Sequence, residues 1–155
     1  MAIKKYNTSL RNLEARLRAF KEHIPSMLED VVRNNEDAIV SCIRDDQLYR
    51  RGVNGRDIKI RSYAPYAEST IKRKKKKGQP TTRVTLRDEG EFHAQMHLVF
   101  EPDGFYITSD NEVTPFLKKR YGDEIFRLTD KNLTRLLQSR IRKEFVKRIK
   151  QATTP

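Results

Sequence analysis

Between Phe92 and Phe100 the chain alternates without a break. Phe92, Ala94, Met96, Leu98 and Phe100 fall on one side, and His93, Gln95 and His97 on the other. A period of two sustained over this length belongs to a β-strand with one face buried. Pro102-Asp103-Gly104 follows, and it is turn chemistry: proline presets φ, Asp103 bonds locally, and Gly104 accepts a left-handed backbone. Phe105 to Thr108 then returns as a second strand, so residues 92–109 read as an antiparallel hairpin. Val84 and Leu86, alternating with Thr85 and Arg87, point to a further strand just before it.

The flanks have helical period. Leu10, Leu13, Leu17, Phe20 and Ile24 recur at spacings of three and four, the apolar stripe of an amphipathic helix with Asn7, Thr8 or Ser9 as its N-cap. Pro25 is expected to interrupt it and sit in the first turn of a second helix. That helix continues through Leu28, Val31 or Val32, Asn35, Ile39, and Cys42 or Ile43 to about Leu48. Gly52 and Gly55 end it. Ile58 and Ile60, alternating with Lys59 and Arg61, predict a charged edge strand. Tyr66 to Lys77 reads as a short helix or an ordered loop. After the hairpin, Val113 to Tyr121 predicts a short helix closed by Gly122. Thr129 or Asp130 caps a last helix carrying Leu133, Leu137, Ile141, Phe145 and Ile149, with Leu136 and Val146 beside them.

This order predicts an α+β fold, with helices packed on one face of a small antiparallel sheet and long helices at both ends. At 155 residues the chain fits a single domain. Its parts are a helical segment 8–48, a basic strand and loop segment 50–87, the hairpin 92–109 and C-terminal helices 113–150. Charged residues make up 35% and apolar residues 36%, which implies a lean core under a heavily charged surface. No apolar run approaches the roughly 20 residues that span a bilayer, so no membrane partner is expected. Met1 to Tyr6 lacks the apolar stretch of a signal peptide. Cys42 is the one cysteine, so no internal disulfide forms, which suits a reducing or an indifferent compartment.

Charge is segregated. Residues 50–87 hold 13 Lys and Arg against two acids, Asp57 and Glu68, and so carry +11 of the net +12. Residues 88–126 are net −6 and residues 140–150 net +5. Opposed surfaces on one small chain suit docking to copies of itself or to a partner, and they equally serve as solvated faces that keep a protein soluble. In a head-to-tail ring, the acidic face of the second helix, with Glu29, Glu36 and Asp37, would meet the basic segment of a neighbour.

Catalytic constellations are missing. His93 and His97 sit four apart, a metal-like spacing on a helix, but on a strand they stand roughly 13 Å apart, with no third ligand nearby. Cys42 lies among apolar helix positions as a small core residue. Gly52-Val53-Asn54-Gly55 is too short for a phosphate loop. Asp45-Asp46 and Asp88-Glu89 are neighbours in sequence and need not converge around a nuclease metal. The reading is of a protein without enzymatic activity, without a metal and without a cofactor. Lys72, Arg73, Lys74, Lys75, Lys76 and Lys77 form six consecutive cations. Such a run repels itself and is expected to stay solvated and mobile. It reads as a phosphate-contacting or partner-contacting segment, as a solvated loop, or as a nuclear localisation signal.

One stretch resembles a known family. Ala67-Glu68-Ser69-Thr70-Ile71 with Lys72, then Leu86-Arg87-Asp88-Glu89-Gly90-Glu91-Phe92, is similar to the segment of Mu-like phage virion morphogenesis, or tail-completion, proteins in which "Pro-x-Ser-x-x-Thr-hydrophobic-x-x-Lys" precedes "Leu-x-Asp-Thr-Gly". Phages of Bacteroides-type hosts are closest in flavour. Glu89 stands where that group has Thr or Ser. Asp88 and Gly90 read as the turn of this motif. The resemblance implies a structural virion protein at the head–tail junction or tail end, assembled in the host cytoplasm. It implies self-association into a ring such as a hexamer, with portal, connector or tail proteins as partners and non-specific DNA contact as an accompaniment. A basic nucleic-acid-binding module is the alternative.

Overall fold

The computed structural model describes the backbone of residues 2–153 and the side chains of residues 10–152. Its element order is α1 (Ala2–Asn34), α2 (Glu36–Ser41) running on into a π-helix (Cys42–Arg51), a 3-10 turn (Ile60–Ser62), α3 (Glu68–Lys76), the single turn α4 (Glu91–Ala94), β1 (Met96–Glu101), β2 (Gly104–Ser109), α5 (Thr114–Tyr121), a 3-10 turn (Asp123–Phe126), α6 (Asp130–Leu136), a π segment (Leu137–Ile141) and α7 (Arg142–Thr153). The fold is α+β, with long helices at both ends and a two-stranded antiparallel sheet.

Several boundaries differ from those the sequence predicts, each for a local reason. Asn7, Thr8 and Ser9 lie inside α1, not at its start, and Pro25 does not divide it. Proline removes only its own rung, and Lys21, whose carbonyl loses that donor, is exposed to water. The break falls instead at Asn35. There the side-chain Nδ2 donates to the carbonyl of Val31 at 2.8 Å and to Glu144 Oε2 at 2.8 Å, so the amide takes over part of the helical bonding. Beyond α2 the helix widens to a π-helix that turns Cys42, Ile43, Gln47 and Leu48 inward. Gly52 closes it in a left-handed conformation, φ +61°, with its N–H donating to the carbonyls of Gln47 and Leu48.

The edge strand expected at Ile58–Ile60 is absent. Asn54 Oδ1 accepts from the N–H groups of Arg56 (3.0 Å) and Ile58 (3.1 Å), curling the chain into a side-chain-closed turn. Only the bridge Val53–Lys59 remains of the pairing, and Ile60 plunges into the core while Ile58 stays exposed. Val84 and Leu86 do not form a strand either. Val84, Thr85 and Leu86 are all buried, and Tyr66 Oη accepts from the N–H of Thr85 at 2.9 Å and of Leu86 at 3.3 Å. A phenol thus satisfies donors that a neighbouring strand would otherwise take.

The hairpin is real but shorter than its sequence pattern. Gly90, at φ +101°, starts the turn α4, which buries both Phe92 and His93 and exposes Ala94. Strict alternation starts at Met96. The register pairs Met96 with Ser109, Leu98 with Ile107 and Phe100 with Phe105. Met96, Leu98 and Ile107 turn to the core, where Ile39, Val40, Ile43, Leu48, Ile60, Ile125 and Phe126 complete one contiguous cluster. The Phe92 and Phe126 rings meet edge to face at 5.8 Å. The Glu36 carboxylate of α2 accepts from the N–H of Leu98 at 2.8 Å and fixes the helices to the sheet. Thr129 caps α6 by accepting from the N–H of Asn132.

Candidate assembly surfaces

The last turns of α1 anchor it to the body. Asp30 meets Arg148 at 3.5 Å, Arg33 stacks on the Phe100 ring at 3.8 Å, and Asn34 donates to Glu144 at 3.1 Å. Val31 and Val32 are buried. Toward the N-terminus the helix leaves the body as an arm. Leu10, Leu13 and Leu17 are 62%, 50% and 59% exposed, so the leucine stripe faces water. A second apolar surface lies on the body, where Phe105 and Tyr106 of β2 and Leu133 of α6 border a groove. Phe116 of α5 is 73% exposed. Isolated exposed leucines are ordinary, but a row of them along one helix marks a contact face.

The cationic run is helical and is not uniformly solvated. Residues 72–76 complete α3, and the helix divides them by direction. Lys74 is buried: its Nζ donates to the carbonyl of Arg87 at 2.5 Å and to Gln79 Oε1 at 2.9 Å, and lies 5.2 Å from the Tyr66 ring centroid. Two hydrogen bonds and the ring contact offset its desolvation. Lys77 binds Asp88 at 2.7 Å and also Glu89, and Arg73 approaches Asp88 at 3.6 Å. The Lys77 ammonium, hydrogen-bonded to it, holds the Asp88 carboxyl below the usual range, and Asp88 and Glu89 raise Lys77 in turn. Lys72, Lys75 and Lys76 share the outward face of α3 and are exposed. Of the six candidate contact residues five are exposed, but Arg73 and Lys77 turn to Asp88, so Lys72, Lys75 and Lys76 make up the outward face.

Asp88 and Gly90 stand beside a cleft of about 380 Å³ between α3, the 86–92 turn and α5, floored by Leu86, Phe92 and Leu117. Asp103 and Gly104 sit far along the hairpin at its exposed tip, and Gly104 has φ +153°. The two turns do not converge on one site.

Much of the segregated charge is spent within the chain. Arg56 binds Glu124 at 2.9 Å, Arg51 binds Asp57, and Asp46 approaches Arg50 and Arg51. On the acidic face Glu29 pairs with Arg33 at 2.6 Å and Glu36 is held by Leu98. Asp37 stays exposed. Of the three carboxylates expected to meet a neighbour's basic segment, Glu36 is therefore engaged with the sheet, while Glu29, in an exposed ion pair, and Asp37 remain on the surface. A second cationic groove survives where Arg50, Lys59, Arg61 and Arg83 surround Gly52.

Among the described residues, no group of three or more His, Cys, Asp or Glu side chains is placed to hold a metal ion. No helix among them is long and apolar enough to cross a membrane. His93 is buried in α4, with Nε2 unpartnered; burial pushes its imidazole down to about 4, opposed by a backbone hydrogen bond with Thr85. Comparison with protein-family models, with curated proteins and with solved structures finds no match for the chain.

Proposed function

We propose that the protein is a structural component of a tailed-phage virion, at the head–tail junction or the tail end, that acts by self-association and by bridging other virion proteins. The observation that carries the self-association is the arm of α1, whose leucines stand in water while the body packs one contiguous core. A stripe of this kind is stabilised when another protein covers it, at roughly 25 cal/mol per Å² of apolar surface removed from water. The virion itself rests on the resemblance between Ser69 and Phe92, and the segregated net charge supports docking to unlike surfaces.

Native mass measurement across a concentration series tests the self-association, and capture by purified portal, connector and tail proteins tests the bridging. A chain that stays monomeric and captures none of them ends this reading.

A second reading is favoured by one observation: Lys72, Lys75 and Lys76 align on the open face of α3. As a nucleic-acid-binding surface they would release counterions on contact, and affinity would fall steeply with salt. DNA titrations at two salt concentrations separate the two readings.

A further inference from the structure

The stripe on the arm is more regular than an ordinary amphipathic helix requires. Leu10, Leu13, Leu17, Phe20, Ile24, Met27 and Val31 alternate spacings of three and four without a slip. This is a strict seven-residue repeat, which keeps a narrow seam turned toward a partner helix. Val31 is covered by the body, whereas Leu10 to Met27 are exposed or half-exposed. We infer that the arm pairs with the arm of a second copy as an antiparallel two-stranded coiled coil, centred between Leu17 and Phe20.

The charges beside the seam select the partner and its direction. The flanking positions along the exposed repeat are Glu14, Lys21 and Leu28 on one side, and Ser9, Arg16 and His23 on the other. Two parallel arms would set Arg16 against the partner's Lys21 twice, with no acid to answer either. In the antiparallel pairing Leu17 faces the partner's Phe20, Leu13 the partner's Ile24 and Leu10 the partner's Met27. Glu14 then meets the partner's Lys21, and the two-fold axis repeats that pair. Glu14 bonds Arg18 on its own helix at 2.7 Å in the free arm, at an exposed position, and remains within reach of a partner. The overlap of 10–27 spans roughly 27 Å at 1.5 Å per residue. It leaves the two bodies at opposite ends of the pair.

The inference rests on the self-association reading and names its interface. Sedimentation of the full chain between about 1 and 100 µM, with chosen variants, tests both. The wild type is expected to dimerise. Leu13→Asp combined with Leu17→Asp should weaken association by more than tenfold. The melting temperature of the body should not move, because both side chains are exposed. Lys21→Glu should weaken it about fivefold by setting acid against Glu14, and Glu14→Lys added to it should restore the wild-type constant. Tightening by Lys21→Glu alone, as a parallel pair with Arg16 requires, overturns the antiparallel arrangement. Association indifferent to all of these variants overturns the arm as the interface while leaving self-association standing. A wild type monomeric throughout overturns both.

Discussion

Gln47 and Asn132, 85 residues apart in the chain, meet at 3.0 Å in the interior, with the Asn132 amide donating to Gln47 Oε1. The same oxygen accepts from the N–H of Thr129 at 2.8 Å, and Gln47 Nε2 donates to the carbonyl of Arg127 at 2.9 Å. Asn132 also reaches the carbonyl of Cys42 and a carboxylate oxygen of Asp46. One buried amide pair thereby ties the π-helix to the start of α6. Gln47→Leu should destabilise the fold by about 2–4 kcal/mol, because it strands a backbone donor and a backbone acceptor at once. Chemical denaturation measures this, and an unchanged midpoint would contradict the network's role.

Lys74 and its neighbours should behave oppositely. Lys74→Met removes the donor that holds the carbonyl of Arg87 and Gln79, so a loss of about 2 kcal/mol is expected. Replacing Lys72, Lys75 and Lys76 together by Ser should change stability by less than about 1 kcal/mol, since all three are exposed. Equal melting curves for the two variants would refute the division of the run by direction.

Acid should weaken the fold through His93. Its folded-state pKa lies near 4, below the ordinary 6.5, so the unfolded chain binds a proton first as pH falls. Stability from this group is full above about pH 7 and declines between pH 6.5 and 4, by about 3 kcal/mol in all. His93→Phe should flatten the stability profile across that window. A profile equally steep with and without the imidazole would show that other groups govern it.

Gly55 admits no side chain. A Cβ there would stand 2.4 Å from Arg127 Cβ and 2.7 Å from its carbonyl oxygen, while the Gly55 N–H donates to the carbonyl of Glu124 at 2.7 Å. Gly55→Ala should cost about 2 kcal/mol or more, read as a fall in melting temperature.

The α+β class, the hairpin turn and the Thr129 cap were legible because each is written in a local pattern of period or turn chemistry. The strands expected at Val84–Leu86 and Ile58–Ile60 were not formed because remote or side-chain groups took over their backbone donors: Tyr66 Oη in one case and Asn54 Oδ1 in the other. Alternation reports which side chains are buried, and Val84 and Leu86 are buried, but it does not report who bonds the backbone. Lys74 escaped because a run of identical charges hides the helical period that turns one of them inward. Ile71, three residues earlier and half-buried, was the available clue. On the arm, the stripe itself was plain. That none of the described residues covers it is a matter of tertiary packing, which no spacing in the sequence expresses.

Pro25 sits within the stripe near its C-terminal end, between Ile24 and Met27. The missing rung at Lys21 lowers the local bending stiffness of the helix there. It lies on the N-terminal side of the Arg33–Phe100 and Asn35–Glu144 contacts that root the helix. Bodies joined through such arms can take up different relative angles without disturbing either core. In the self-associating component proposed above, that compliance would let identical subunits span surfaces whose symmetries do not match.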